Sequence, residues 1–203
     1  MIPYLANIDK NEIIVLAVFL DLILGDPLWL YHPVRAIGFF TDKLENLLRK
    51  TMPRSLKLAG VFLNIIIVGG TFIFFYFVSL HLFKINYYLG FAFEAVFVSF
   101  SLAINSLTKE GRIIKNLLAG NRITQAKNRT AAIVSRDLSG ESRNGLIRAN
   151  LESLTENLSD GVIAPLFFAM LGGAPLAMAY KAVNTLDSMV GYKNEKYENL
   201  GWF

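Results

Sequence analysis

Cysteine is absent from the 203-residue sequence, which excludes disulfide bridges and metal sites built on thiolates. Charged side chains are scarce too, at 18% of residues, where soluble domains carry about a quarter. Neither a Walker A motif nor a Gly-rich dinucleotide fingerprint occurs, so any nucleotide site would be of an unfamiliar kind. What is abundant is apolar: hydrophobic residues make up 54% of the chain, and mean hydropathy is +0.43. This composition predicts an all-α, polytopic integral membrane bundle.

The excess of positive charge, a formal +4, lies in polar stretches between apolar segments. Residues 25–57 hold six Lys and Arg residues, and residues 108–160 hold nine. Membrane topology alone accounts for this distribution, because cytoplasmic loops carry an excess of Lys and Arg. We therefore expect loops 31–57 and 108–160 on the cytoplasmic side of the cell membrane, and no nucleic-acid partner.

Two apolar segments predict an antiparallel pair of membrane helices. Residues 58–83 contain no Asp, Glu, Lys or Arg, and as a helix they exceed the roughly 30 Å hydrocarbon thickness. Residues 87–107 contain a single acid, Glu94. The connection 84–86 is so short that the two segments must form a hairpin, which leaves both flanking loops on one side.

The first apolar segment, 13–30, is weaker, because Asp21 interrupts it and the twelve residues from Ile13 to Leu24 are too few to cross alone. We expect it to be a span that continues toward Leu30 and Tyr31, with partial entry into the membrane as the alternative. Loop 108–160 shows apolar residues at helical spacing, broken at Gly120-Asn121. We expect all segments and loops to form one membrane domain, residues 1–203.

The segment 161–180 is long enough to cross, but Gly172, Gly173 and Pro175 interrupt its middle. Two short helices in a re-entrant hairpin are therefore the alternative to one kinked span. We favour the broken, re-entrant form, because it returns the residues after 180 to the side on which loop 108–160 lies.

Three polar clusters border the apolar segments. Asp26, His32 and Arg35 follow the first segment, and the Arg35 guanidinium can bind two phosphate or carboxylate oxygens side by side. The alternative is that Asp26-Pro27 stops a helix and that Arg35 is a positive-inside anchor.

The second cluster is a row of charges at intervals of four, Arg148, Glu152, Glu156 and Asp160, with Asn157 beside it. On a helix these residues would form one stripe that ends at the membrane. Carboxylate oxygens are the ligands that Mg²⁺ prefers, although a solvated face with an Arg–Glu pair is the alternative.

The third cluster, Asn184, Thr185, Asp187 and Ser188, directly follows an apolar segment. These short polar groups could bind a polar substrate, or they could only cap and start a helix.

Four sequence blocks resemble the CobD/CbiB family of cobalamin biosynthesis proteins, the adenosylcobinamide-phosphate synthases. The blocks are "DLILGDP…HPVRAIG" from residues 21 to 38, "SRD" at 135–137, "ESLTENLSDGVIAPLFF" at 152–168 and "YKAVNTLDSMVGYKNEKYENLGW" at 180–202. The resemblance implies a membrane enzyme that joins aminopropanol or its phosphate to a propionate side chain of adenosylcobyric acid, giving adenosylcobinamide or its phosphate. Because amide formation from a carboxylate and an amine is uphill in water, such a reaction consumes ATP, with Mg²⁺ on the nucleotide.

On this resemblance the site residues fall into three groups. Arg35 and Arg136 would neutralise phosphate charge, and an acid or His32 would take the amine proton. The implied catalytic residues are Asp26, His32, Arg35, Arg136 and Asp137; the implied Mg²⁺ ligands are Glu152, Glu156, Asp160 and Asp187; and the implied substrate contacts are Asn157, Asn184, Thr185 and Ser188.

Family members are longer than this chain, so we expect it to be a fragment, a truncated gene product or one half of a split protein. In the last case a separate chain would supply the further C-terminal part. A second hypothesis is a non-catalytic membrane protein that binds or passes on a corrinoid or another anionic solute, with Asp21 and Glu94 on its path. A third is an inactive remnant that only inserts. The enzyme hypothesis predicts that all polar clusters converge on one pocket facing the cytoplasm.

Overall fold

The structure, a computed structural model, describes residues 10–25, 32–134, 138 and 140–202. Within these ranges the fold is all-helical, which confirms the predicted class. The elements are α1 Lys10–Leu24, α2 Pro33–Thr51, α3 Leu56–Ile85, α4 Tyr87–Ser101, α5 Ile104–Ala119, α6 Ile123–Ala131, α7 Arg143–Leu158, a π-helical turn Ser159–Ile163, and α8 Ala164–Val190.

Helices α3 and α4 form the predicted hairpin. Asn86 is the one residue between them, and its side-chain oxygen accepts hydrogen bonds from the backbone N–H groups of Tyr88 and Leu89 at 2.8 and 3.4 Å. This cap satisfies two of the donors that a helix start leaves without partners. The second predicted segment is shorter as a helix than expected, because α4 ends at Ser101 and α5 begins at Ile104.

Three helical stretches in the described ranges are long and apolar enough to cross a membrane, judged by length and composition: Leu56–Ile85, Tyr87–Ala119 and Arg143–Val190. Helix α1 is not among them, and its 15 residues span only about 22 Å. The C-terminal end of α1 is hydrogen-bonded to the first turn of α5. The buried Asp21 carboxylate accepts from the Asn105 backbone N–H at 3.0 Å, and the Asn105 side-chain amide donates to the Leu22 carbonyl at 2.6 Å.

Most of the predicted loop 31–57 is the amphipathic helix α2, which packs its apolar side against α3. Buried Ile37 and Leu48 belong to the same core cluster as Leu63 and Ile67 of α3. The second predicted loop is helical as well and breaks where expected, since α5 ends at Ala119 before Asn121, which has a φ of +54°. Helices α5, α6 and α7 share a small core of their own.

The predicted break in 161–180 is present, and the chain reverses direction there. Within α8 the helical geometry is lost at Gly172 (φ −146°, ψ 23°) and Gly173 (φ 66°, ψ −155°). The rings of Phe168 and Tyr180 stack with centroids 5.1 Å apart, whereas twelve residues of unbroken helix would separate them by about 18 Å. The segment therefore folds back as a helical hairpin, so Arg143–Val190 is not one continuous straight helix. That this hairpin re-enters the membrane from one side stays a prediction.

The part of α8 that follows the break, here called the second arm, lies at the centre of the bundle. Met178, Ala182 and Leu186 of this arm are fully buried against α2 and α3. Leu200 enters the same cluster, and the Trp202 indole N–H donates to the Lys57 carbonyl at 3.0 Å. The residues after α8 thus return to the beginning of α3.

Candidate functional site

Three separate parts of the chain meet where α4 ends. The His32 ring, directly before α2, packs edge-on against the Phe100 ring near the end of α4, with centroids 5.2 Å apart. Gly161 in the π-turn lies against Ala103, close enough that a Cβ on Gly161 would stand 3.1 Å from the Ala103 Cβ. The first and second polar clusters therefore lie at the same end of the bundle.

The hairpin brings the fourth block, residues 180–202, to the same place. Tyr180 lies on the second arm, and its hydroxyl lies near the half-buried Asp160 carboxylate. These two residues would be about 30 Å apart along an unbroken helix. Stacking on Phe168 holds the Tyr180 ring in this position. The sequence had marked Asp160 as a ligand and Tyr180 only as part of a motif, so this pairing was missed.

The carboxylate stripe is only partly regular. Glu152 and Glu156 lie four residues apart on α7, and both are exposed. Asp160 falls in the π-turn, where the Ala164 N–H donates to the Ser159 carbonyl five residues back. The wider turn changes the direction in which side chains leave the helix, so the four-residue spacing does not extend as one α-helical stripe through Asp160.

Among the residues that the structure describes, no three His, Asp or Glu side chains are placed to hold a metal ion together. Mg²⁺ on a nucleotide is usually held by one or two carboxylates, with phosphate oxygens and water completing its shell. Half-buried Asp160, with exposed carboxylates nearby on α7, fits such a partial site. The assignment of Glu152, Glu156, Asp160 and Asp187 as a set of four ligands stays a prediction.

The third cluster lies inside α8 and does not start a new helix. Thr185 is buried, and its hydroxyl donates to the Lys181 carbonyl at 2.7 Å; the exposed Ser188 hydroxyl donates to the Asn184 carbonyl at 2.9 Å. Both hydroxyl hydrogens are therefore committed to the helix backbone, and only the oxygens could serve a substrate. Asn184 is half-buried and Asp187 is exposed.

Asn157 is exposed on α7, where its side-chain amide donates to the Ser153 carbonyl at 2.8 Å. That hydrogen bond uses one of the two N–H groups of the Asn157 amide. The role of Asn157 as a substrate contact stays a prediction.

His32 and Arg35 begin α2. The His32 Nδ1 accepts from the Val34 N–H at 3.2 Å, which caps the helix. The role of His32 as the acceptor of the amine proton stays a prediction. Arg35 lies exposed on the first turn. The other predicted catalytic residues, Asp26, Arg136 and Asp137, lie outside the described residues.

Glu94 is a further polar residue that the site prediction left out, although its position inside an apolar segment was a visible signal. It is 4% exposed and lies beside the α8 break, where its carboxylate contacts Ser79 and the Ala174 backbone. It lies away from the Asp160–Tyr180 pair, at the tip of the hairpin.

The family model described as "CobD/Cbib protein" matches residues 14–203. The chain is 43% identical to the cobalamin biosynthesis protein CobD of Clostridium perfringens, over 94% of this chain and 60% of that protein. It is equally similar to CobD of Geobacter metallireducens (43%, over 96% and 61%), and it is 40% identical to the cobalamin biosynthesis protein CbiB of Salmonella choleraesuis (90% and 58%). The chain thus spans about 60% of the length of these relatives. No solved structure matches it. The family match over nearly the whole chain shows that it belongs to the CobD/CbiB protein family.

Proposed function

We propose that this chain forms part of a membrane enzyme of cobalamin biosynthesis that joins aminopropanol, or its phosphate, to a propionate side chain of adenosylcobyric acid and consumes ATP. Two lines of support are the names of the relatives and the four motif blocks. The observation that carries the proposal is the stacking of Phe168 on Tyr180, because it brings the blocks 152–168 and 180–202 together across the hairpin.

In this proposal Asp160 is the principal carboxylate of the site. Its half-buried position strengthens its electrostatic interactions, and the Tyr180 hydroxyl orients it. Asp160 would hold Mg²⁺ together with Glu152, Glu156 or Asp187, while ATP, when bound, supplies the free energy that amide formation requires. Arg35 and Arg136 would bind phosphate oxygens. An acid or His32 would take the amine proton.

We place the site on the cytoplasmic side of the cell membrane, with the bundle as a multi-pass membrane domain. The three apolar helical stretches and the basic character of α2, α5 and α6 support this orientation. A corrinoid with its polar side chains would then approach from the cytoplasm.

The test is synthesis of cobinamide in cells that lack the enzyme. The chain is expressed alone and together with the complementary segment of the C. perfringens relative, and membranes are assayed for an ATP-dependent amide product by mass spectrometry. Asp160→Asn should lower turnover at least about 100-fold, since even the partners of metal ligands contribute 10–100-fold. Asp42→Asn, the same change at an exposed position on α2, should leave turnover unchanged.

The outcomes separate the three hypotheses. Corrinoid binding without an ATP-dependent product would favour the carrier. Insertion with neither binding nor product, in both expression formats, would favour the remnant. Full turnover in Asp160→Asn would contradict the role given to this carboxylate.

A further inference from the structure

The break in α8 leaves two backbone groups without helical partners. The carbonyl of Leu171 would normally accept from residue 175, but Pro175 has no N–H. The N–H of Ala174 would normally donate to the carbonyl of residue 170, on the other side of the break. Such groups are costly in an apolar environment unless another donor or acceptor satisfies them.

Side chains from two other helices satisfy both groups. The Lys10 ammonium at the start of α1 donates to the Leu171 carbonyl at 3.0 Å. The Ala174 N–H donates to the Glu94 Oε2 of α4 at 2.5 Å. The second carboxylate oxygen of Glu94 accepts from the Ser79 hydroxyl of α3, also at 2.5 Å. Buried Glu94 thus connects α3, α4 and the tip of the hairpin through one carboxylate.

The backbone at the tip is shaped around this carboxylate. Gly173 has a φ of +66°, a conformation that side chains rarely adopt, and a Cβ at this position would overlap Glu94 Oε2. The direction of the second arm is set at Ala174, directly after this contact. Tyr180 follows six residues later, under two helical turns away, so the position of Ala174 determines where the Tyr180 hydroxyl lies.

We propose that Glu94 is a positioning residue: it fixes the tip of the re-entrant hairpin and thereby holds Tyr180 against Asp160. The tip requires the two carboxylate oxygens of Glu94, which accept hydrogen bonds from the Ala174 N–H and the Ser79 hydroxyl. The activity part of this inference rests on the proposed function, whereas the structural part does not.

The structural part is tested by cross-linking, for which the natural absence of cysteine is convenient. Cysteines replace Phe168 and Tyr180, whose rings stack across the two arms, and a short bifunctional thiol reagent is added to membranes. The pair should cross-link efficiently, while a pair at Phe168 and the distant Tyr88 serves as the negative control.

Glu94→Leu in this background should lower the cross-linked fraction at least about fivefold, because the Ala174 N–H loses its acceptor. Glu94→Gln should keep it, since an amide can accept from Ala174 and donate to Ser79. Ser79→Ala removes only the hydroxyl that donates to Glu94, so the cross-linked fraction should lie between those of the native protein and Glu94→Leu. This variant also provides the test if Glu94→Leu does not insert into the membrane. An unchanged fraction in both Glu94→Leu and Ser79→Ala would overturn the proposal.

Activity is measured in chains that retain Phe168 and Tyr180. Glu94→Leu should lower kcat more than it changes KM for the amine, and Glu94→Gln should stay within about threefold of the native kcat. If Glu94→Gln is as inactive as Glu94→Leu while its hairpin still cross-links, a role of the charge itself replaces positioning. If the native protein shows no turnover but cross-links as expected, the proposed function fails and the structural role of Glu94 stands.

Discussion

The substitution Gly173→Ala probes the tip of the hairpin most sharply. Gly173 has φ +66° and ψ −155°, a region that is almost restricted to glycine. An added methyl group would also overlap Glu94 Oε2, which accepts the Ala174 N–H. The substitution therefore introduces backbone strain and removes a buried hydrogen bond together.

The expected magnitude follows from these two effects. Holding an L-residue in such a region costs about 1–3 kcal/mol, and an unsatisfied buried N–H costs about 1–3 kcal/mol. Gly173→Ala should thus lower the free energy of unfolding by about 2–6 kcal/mol, a large part of the 5–15 kcal/mol typical of folded proteins. For a chain of this size that corresponds to a fall in Tm of at least about 4 °C.

The assay is thermal unfolding in detergent, with Gly69→Ala as the matched control. Gly69 lies within α3, and a Cβ there would meet nothing within 4 Å. The control should be neutral or stabilising by up to about 1 kcal/mol, because alanine favours a helix more than glycine does. Equal Tm values for Gly173→Ala and Gly69→Ala would refute the geometry described for the tip.

Three further predictions concern the site and the helices beside it. Tyr180→Phe should retain the fold but lower turnover, because Asp160 loses its hydroxyl partner; native kcat with native circular dichroism would contradict this. Ser142→Ala should cost about 1 kcal/mol in thermal unfolding because it removes the N-cap of α7, and no change in Tm would count against that cap. Arg129→Gln should cost less than about 1 kcal/mol, and the loss should shrink in high salt, because the bond to Glu110 lies near the surface; a large loss independent of salt would point to a buried role.

Much of the fold was predictable because local signals were strong. The short connection 84–86 required an antiparallel pair, and Asn86 supplies the cap that such a turn needs. The polar loop 108–160 was predicted to be helical with a break at Gly120-Asn121, and the helices end and begin there. The C-terminal end of α4 was misplaced by about two turns, since the segment was expected to run to residue 107 and α4 ends at Ser101.

The break in α8 was predictable, but the reversal was not decided by local sequence alone. Gly172, Gly173 and Pro175 are compatible with a kink or with a hairpin. The contacts that accompany the reversal are non-local: Glu94 lies 80 residues before Ala174, and Tyr180 stacks across the two arms. The spacing of residues along the chain does not indicate which distant residues come into contact.

The sequence blocks that form the candidate site were predictable, whereas the contacts of their individual side chains were less so. Asp160 was marked from its spacing, yet the π-turn that displaces it from the stripe has no sequence signal that we recognised. Thr185 and Ser188 were marked as substrate contacts, but their hydroxyl hydrogens bond to carbonyl oxygens of their own helix. Tyr180 acquired a specific partner only once the hairpin was known.

The most direct test of the central claim, that the hairpin returns both ends of its segment to one side of the membrane, is single-cysteine labelling with an impermeant maleimide. Thr155 before the hairpin and Asn194 after it are both exposed, and Tyr88 marks the opposite end of the bundle. Cysteines at Thr155 and Asn194 should both react from the cytoplasmic side, and a cysteine at Tyr88 from the other side. Reaction of Thr155 and Asn194 from opposite sides would contradict the hairpin and the site built on it.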